Sequence, residues 1–460
     1  MVSAEEKELL AERLVSGNLY KLKHLTAMLT PEELAEIINT SNQIDLIKIF
    51  QVLEAEKAIH TFENLDYDRQ IILLDNFSKE QLTTTLNKLS PDDRTALFEN
   101  VSKGTLEKYL SLLSVEERKT AQKLLQYPEE SIGRLMTTDY IAVKEDWTVS
   151  QSLDYIRSNG RDSETLNVIY VTDNNGYLID DVKVREFLLS PLDRKVGELS
   201  DKQFVSLNAN DDQETAIEIF KQTNRVALPI TDFNGLLLGI ITIDDVVDVM
   251  EEEDTEDIQK FGGSEALDEP YLKVSFGEMI RKRAGWLIIL FLGEMLTASA
   301  MAFFEDELKK AAVLMLFIPL IISSGGNSGS QAATLIIRAI ALAEVSLEEW
   351  WKVMKREFAS GLVLGLILGL IGFLRVVLWS SFSDVYGPHY ILVGTTIGLT
   401  LVGVVMFGAL CGSMLPLILK KLGFDPAVSS APFIATLVDV MGLIIYFTTA
   451  WLLLRDTLLG

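Results

Sequence analysis

Ser430-Ala-Pro-Phe-Ile-Ala-Thr-Leu-Val-Asp-Val-Met-Gly-Leu-Ile-Ile-Tyr-Phe-Thr-Thr-Ala-Trp-Leu-Leu-Leu454 is apolar enough and long enough to cross a bilayer as one helix, and Asp439 is its single charged residue. An ionised carboxylate at that depth is costly, so it belongs in a bundle interior or on a wet pathway. The plain reading is a structural acid, hydrogen-bonded to a neighbouring helix or held neutral. No basic residue lies in the same span to pair with it. A visiting cation is therefore the better account of Asp439.

Outward from that stretch the composition divides in two. Up to about residue 260 the chain is acidic and patterned for water, whereas beyond about 284 it holds long apolar runs; together they give 48% hydrophobic residues and a net charge of −25. Five membrane segments are expected, at roughly 284–303, 311–342, 358–381, 390–418 and 430–454. Arg281, Lys282, Arg283, Lys352, Lys355, Arg356, Lys420 and Lys421 fall on one side, against Lys309, Lys310 and Arg455 on the other. The richer side is expected to be cytoplasmic, which puts the amino terminus inside and the carboxyl terminus outside. No charged n-region with a short apolar stretch opens the chain, so no cleaved leader is expected. Cys411 is the only cysteine, and His24, His60 and His389 lack ligand spacing, so any metal chemistry must use oxygen ligands.

The second segment contains Ser323-Ser-Gly-Gly-Asn-Ser-Gly-Ser-Gln331. Read as an interruption, this run cannot face lipid, because its backbone groups would lack partners. It then either lines a pathway or gate, or serves as a packing kink in which Gly325, Gly326 and Gly329 admit a close helix. It is no phosphate loop, since the Lys-Ser/Thr and the preceding strand are missing. Pro432 is expected to free a carbonyl in the last segment. Freed carbonyls and one carboxylate suit a hard cation that keeps part of its water.

The soluble part carries two repeat systems. Leu65-Asp-Tyr-Asp-Arg69, Leu89-Ser-Pro-Asp-Asp-Arg94 and Leu113-Ser-Val-Glu-Glu-Arg118 recur with their leucines 24 residues apart. Each sets a capping residue and acids before an apolar helical pattern, which predicts a superhelix of short helices. Asp92 and Asp93 are accounted for equally well as first-turn acids favoured by the helix dipole. In the second system Tyr140-Ile-Ala-Val143 is echoed by Phe204-Val-Ser-Leu207, and Tyr170-Val-Thr-Asp-Asn-Asn-Gly176 by Pro229-Ile-Thr-Asp-Phe-Asn-Gly235. Each half reads as strand, helix, strand, turn, strand, helix. This resembles a pair of CBS domains, which implies an adenine nucleotide such as ATP as ligand, with Glu186 and Asp245 at the places of the ribose-binding acid. The first half departs from the second in having Asp180-Asp181 where the second has Gly239. After the repeats comes Asp244–Asp257, in which nine of fourteen residues are acidic and none is basic. Like charges at helical spacing repel unless something neutralises them, and divalent cations shared between acidic faces would do so.

Over essentially its whole length the chain resembles the MgtE family of magnesium transporters. The features that carry the resemblance are Gly133-Arg-Leu-Met136, Thr255-Glu-Asp-Ile258, Gly325-Gly-Asn-Ser-Gly-Ser-Gln331, Pro432 through Asp439-Val-Met-Gly442, and Tyr446-Phe447. The resemblance implies a homodimer with a central pore, cytoplasmic domains responsive to Mg2+, and a connecting helix at roughly 265–283. It implies that Asp439 holds hydrated Mg2+ at the selectivity site, joined by Ala435 and Gly442 and, from the second segment, by Asn327, Gly326 and Gly329. For the sensor it implies Asp92, Asp212, Glu214, Asp245, Asp248, Glu253, Glu256 and Asp257 as Mg2+-binding acids. Asn224 and Ala96 stand where further acids are expected, so the sensor ions are expected to be fewer or differently placed.

The expected architecture is a multidomain membrane protein: an all-α superhelical domain at 1–130, α/β tandem CBS domains at 131–258, a connecting helix at 259–283 and a five-helix transmembrane domain at 284–460. The expected function is a Mg2+-selective, channel-like transporter of the cell (inner) membrane that high cytosolic Mg2+ closes. It is expected to be neither an enzyme nor an ATP-driven pump, to contact membrane lipid and to take no nucleic acid. The alternative of another class is a membrane-anchored nucleotide or ion sensor without transport.

Overall fold

The computed structural model describes residues 19–267, 271–342 and 344–458, and the chain forms two compact units that divide between Met250 and Glu251. Residues 1–18 of the expected superhelix lie outside the described residues.

Among the described residues of the first unit, nine helices of nine or ten residues run from Leu19–Met28 to Val115–Leu124. Their starts are written in the sequence. The side chains of Thr30, Asn42, Ser78, Ser90, Ser102 and Ser114 each accept a backbone N–H in the first turn of the helix that follows. Such caps are worth about 1 kcal/mol apiece. Successive helices pack chiefly on the one two places ahead, around Leu34, Ile38, Leu46, Ile49, Phe62, Leu86 and Leu97. The repeated arginines finish this arrangement. Arg94 is fully buried and donates to the carbonyls of Leu86 and Leu89, while Arg118 donates to those of Leu110 and Leu113, so each satisfies the open end of the preceding helix.

Two three-stranded sheets follow, β1 (Ala142–Lys144), β2 (Val168–Thr172) and β3 (Leu178–Lys183), then β4 (Leu207–Asn208), β5 (Ala227–Thr231) and β6 (Leu237–Thr242). In each, the first pair is parallel and the second antiparallel. The central strands β2 and β5 are buried along their whole length, which is why they read as unbroken apolar runs. The repeated Thr-Asp-x-Asn-Gly is a turn: Asp173 accepts from the backbone of Asn175 and Tyr177, and Asp232 from that of Asn234 and Leu236. Gly176 and Gly235 take φ of +92° and +87°, a region only glycine enters cheaply. The two turns meet across a bridge between Tyr177 and Leu236.

Helix Ile243–Phe261 begins after β6 and runs across the division between units. Its end is closed by Gly263 at φ +77°, with the Ser264 amide on the Gln259 carbonyl at 3.1 Å. The connecting segment, expected as a single helix at roughly 265–283, is helical only from Phe276 among its described residues. The described residues between Gly262 and Ser275 are not helical, and a new helix starts at Phe276, capped by Ser275, and continues without a break into the first membrane span.

Among the described residues the second unit has five helices long and apolar enough to cross a membrane: Phe276–Phe303, Ile318–Ala341 with the short turn before it, Trp350–Ser380, Tyr390–Lys421 and Ala431–Leu454. The second, fourth and fifth form the centre, the third lies on the fourth, and the first lies on the fifth. Two sequence expectations are corrected. Ser323–Gln331 does not interrupt the second helix, which is continuous and so satisfies its own backbone. The glycines there admit neighbours, with Gly325 against Val404 and Val438, and Gly329 against Ile434 and Gly408. Pro432 stands in the first turn of the last helix, where its missing N–H costs nothing and no helical carbonyl is freed. On the third helix, Gly361, Gly365 and Gly369 recur every fourth residue and lie on the backbone of Met406, Val402 and Gly398.

Candidate functional site

Asp439 sits half-buried near the middle of the fifth membrane helix, one turn beyond Ala435. Gly326 of the second helix faces both. A methyl placed on Gly326 would lie 3.4 Å from the Ala435 Cβ and 4.0 Å from the Asp439 Oδ1, so the missing side chain leaves the carboxylate a free approach. Among the described residues neither a cation nor a hydrogen-bond donor sits on that carboxylate. Gly442 is buried and turned toward Val404, and Gly329 toward Ile434, so both serve helix contact in the single chain. Asn327 is exposed, its amide 3.4 Å from the Ser323 hydroxyl on the same face. The structure thus joins Asp439, Ala435 and Gly326 and leaves Asn327 on an outer face. Glu294, which the sequence reading passed over, is exposed in the first helix beside Gly293, and Gly293 abuts Thr436 one turn before Asp439. An acid inside an apolar run was the available signal.

The first unit contains a second acidic locality. Asp92 and Asp93 open helix Pro91–Glu99, and Asp245 lies in the first turn of helix Ile243–Phe261. The Asp92 Oδ1 is sealed from solvent and has no partner. Burial, then the charges of Asp93 and Asp245, hold the Asp92 carboxyl well above the usual carboxylate range. Burial pushes Asp93 up to about 7 against a 2.7 Å bond from Ser90 Oγ, with Glu63, Asp245 and Glu164 adding to the rise. Glu164 is pushed up to about 7 by burial and by Asp92, Asp245, Asp244 and Glu63. Asp245 rises to about 6 through burial, opposed by the Thr242 hydroxyl at 2.6 Å. Glu63 and Glu164 had no sequence signal. One ends a helix and the other lies in a loop, and only the tertiary fold brings them here.

The remaining expected acids lie elsewhere. Asp212 caps helix Gln213–Thr223 by accepting the Glu214 amide at 2.9 Å, and Asp248 is exposed. Asn224 ends that helix at φ +50°, a conformation in which asparagine is tolerated far better than most side chains, so its place has a backbone reason. Ala96 is exposed. In the second unit Glu253 is half-buried, and Glu256 is ion-paired to Lys260. Burial, then Asp425, raises Asp257 to about 6. Of the two nucleotide acids, Glu186 is paired with Arg185 and Asp245 with Thr242. The halves differ where the sequence differs. Asp180 accepts the Lys202 amide at 3.0 Å and Asp181 pairs with Arg225, whereas the corresponding Gly239 leaves only backbone and Met136 beside it.

Among the described residues no three His, Cys, Asp or Glu side chains converge closely enough to ligate a bare metal ion. Loosely grouped carboxylates with an orphaned oxygen still suit Mg2+, which dehydrates reluctantly and is commonly met through its waters. Close carboxylates of this kind raise each other's pKa until a cation or protons arrive.

Comparison with known proteins identifies the domains. The family model MgtE, a divalent cation transporter, matches residues 318–449; that of the MgtE intracellular N domain matches 29–130; and the CBS domain model matches twice, at 132–189 and 196–252. The magnesium transporter MgtE of Thermus thermophilus is 38% identical over 338 residues, 74% of this chain and 73% of that protein. The protein of the same name from Bacillus subtilis is 28% identical over 434 residues, 94% of each chain. Among solved structures, the cytosolic domain of the Mg2+ channel MgtE in complex with ATP aligns with a TM-score of 0.50 and 27% identity, covering 52% of this chain and 98% of that one.

Proposed function

The chain belongs to the MgtE family of magnesium transporters, and from that premise we propose that it is a channel-like path for Mg2+ which its own cytoplasmic acids close when cytosolic Mg2+ is high. Mg2+ is the cargo. The observation that carries the pathway is Asp439, a carboxylate at membrane depth with an open approach past Gly326 and no paired cation among the described residues. Hydrated Mg2+ supplies the missing positive charge. Asn327, on an outer face, joins the pathway when a second copy of the chain brings its own face to the axis, so the homodimer belongs to this reading.

Closure rests on the acids. Asp92, Asp93, Glu164 and Asp245 gather in one unit at a cost that Mg2+ removes, and in the other unit Glu253 and Glu256 stand near Asp257, whose carboxyl is held up by burial and by Asp425. Mg2+ favours the compact state because it binds that state better, which is all that feedback requires. The division of labour follows the chain: 1–130 and 131–258 sense, 259–283 connects and 284–460 conducts. The excess of Lys and Arg on one set of loops supports a cytoplasmic amino terminus and an extracytoplasmic carboxyl terminus. For ATP the second CBS half is the better seat, since Asp180 and Asp181 occupy the first. A sensor without transport has no observation in its favour. Reconstitution in liposomes decides the pathway: the parent takes up Mg2+, Asp439→Ala does not, and uptake by a well-folded Asp439→Ala would refute the assignment.

A further inference from the structure

The end of helix Ile243–Phe261 and the start of the pore helix share one side chain. Gly263, at φ +77°, turns a bare Cα toward the indole of Trp286, and a methyl there would lie 2.8 Å from the ring atoms Cδ1 and Nε1 and 3.2 Å from Pro432. The same Trp286 Nε1 donates to the Ser430 Oγ at 3.1 Å. Ser430 is fully buried and is the N-cap of the pore helix, its Oγ accepting the Phe433 amide at 3.4 Å. The indole also lies 6.4 Å from the Phe433 ring. A second tie runs alongside. Lys260, one turn before Gly263, reaches Asp425 at 2.9 Å, and Asp425 caps the turn Pro426–Val428 that leads into Ser430.

We infer that Trp286 is the positioning residue through which the end of the connector sets the first turn of the pore helix, and hence the height and rotation of Asp439. The inference rests on the pathway and closure proposed above. Nine positions separate Ser430 from Asp439 on one helix, about 13 Å along its axis. A helix transmits a displacement of its cap along its length, and here the buried cap hydroxyl accepts from the indole. The bare Gly263 is what allows the indole that close. A connector that moves when its acids gain or lose Mg2+ therefore pulls on the cap of the helix that carries the cargo site, and two sites share one equilibrium.

The test measures Mg2+ uptake by the full chain in liposomes as a function of Mg2+ on the sensor side, giving a maximal flux and a midpoint of inhibition. Trp286→Phe keeps an aromatic ring and deletes the N–H; Ser430→Ala deletes the acceptor. Each is expected to raise the midpoint by about fivefold, the worth of one net hydrogen bond, with maximal flux within about twofold of the parent. The double variant is expected to shift it no further than either single, because both delete the same bond. Gly263→Ala, which pushes the indole away, is expected to shift the midpoint in the same direction. Where Trp286→Phe fails to assemble, Ser430→Ala and Gly263→Ala carry the same readout. Unchanged or lowered midpoints, or fully additive shifts in the double variant, overturn the inference. Asp439→Ala is run beside them. If it conducts, or if the parent is not inhibited by Mg2+, the proposed function fails on its own account, separately from the role of Trp286.

Discussion

Asp93→Asn is expected to make the Mg2+-free protein more stable at neutral pH, an unusual outcome for a change at a half-buried polar position. In the folded unit burial moves this carboxyl from its ordinary 3.8 to about 7, with the charges of Glu63, Asp245 and Glu164 contributing. The folded unit thus binds the Asp93 proton more tightly than the unfolded chain does. Its contribution to stability is complete below about pH 4 and is lost as pH rises through about 7. The difference of about 3 pH units, at about 1.4 kcal/mol each, bounds the cost of the ionised form at about 4 kcal/mol. Partial exposure of the side chain reduces this to about 2 kcal/mol. Asparagine keeps an oxygen for the Ser90 hydroxyl and removes the charge. Thermal melts of the full chain in detergent with EDTA at pH 7.5 are expected to rise by about 4–8 °C in the variant. At pH 4 the two proteins should converge, and added Mg2+ should stabilise the variant less than the parent. A variant that melts at or below the parent in EDTA at pH 7.5 would show that Asp93 is not crowded, and the acidic locality would lose its role as a sensor.

Four further outcomes follow from the same geometry. Asp439→Asn is expected to be severely impaired in Mg2+ uptake although it preserves shape, because the charge attracts the ion; normal flux at normal assembly would contradict this. Neutralising Glu253, Glu256 and Asp257 together should leave the pathway open at Mg2+ levels that shut the parent, and unchanged inhibition would instead assign them to a solvated face. Removing residues 1–260 should leave a conducting remainder that ignores sensor-side Mg2+; a folded remainder that closes at the same concentration would place the sensor in the membrane part. Gly365→Val puts a branched Cβ where it would lie 2.8 Å from the Val402 Cα, so loss of the monodisperse detergent peak is expected, and an intact peak with unchanged melting would refute tight contact of the third and fourth helices.

What the sequence made legible was whatever is decided within a few residues. The caps Ser90 and Ser114, the Asx turns at Asp173 and Asp232 and the five apolar spans are local, and the structure has them where the chain reads them. The errors arose where a residue type has two uses. A glycine-rich run in a membrane segment suits a broken helix and a tightly packed one alike. Only the neighbouring Val404, Gly408 and Ile434 decide for packing, and they lie on other helices. Pro432 has the same two uses: inside a helix proline frees a carbonyl, whereas in the first turn set by the Ser430 cap it frees none.

The candidate site shows the same limit in stronger form. Asp439 could be singled out because a lone carboxylate in an apolar span violates a local rule, and such violations mark function. Glu164, Glu63 and Asp425 violate nothing where they stand. An acid in a loop or at a helix end is ordinary, and each gains meaning only from charges distant in sequence, as Asp425 does from Lys260 165 residues away. Burial compounds this, since the same carboxylate in water would carry no strain for a cation to relieve. A sensor of the kind proposed, built from individually ordinary acids, is therefore hidden from sequence for the reason that would make it responsive: its cost appears only when the folded state assembles, and that cost is what bound Mg2+ would remove.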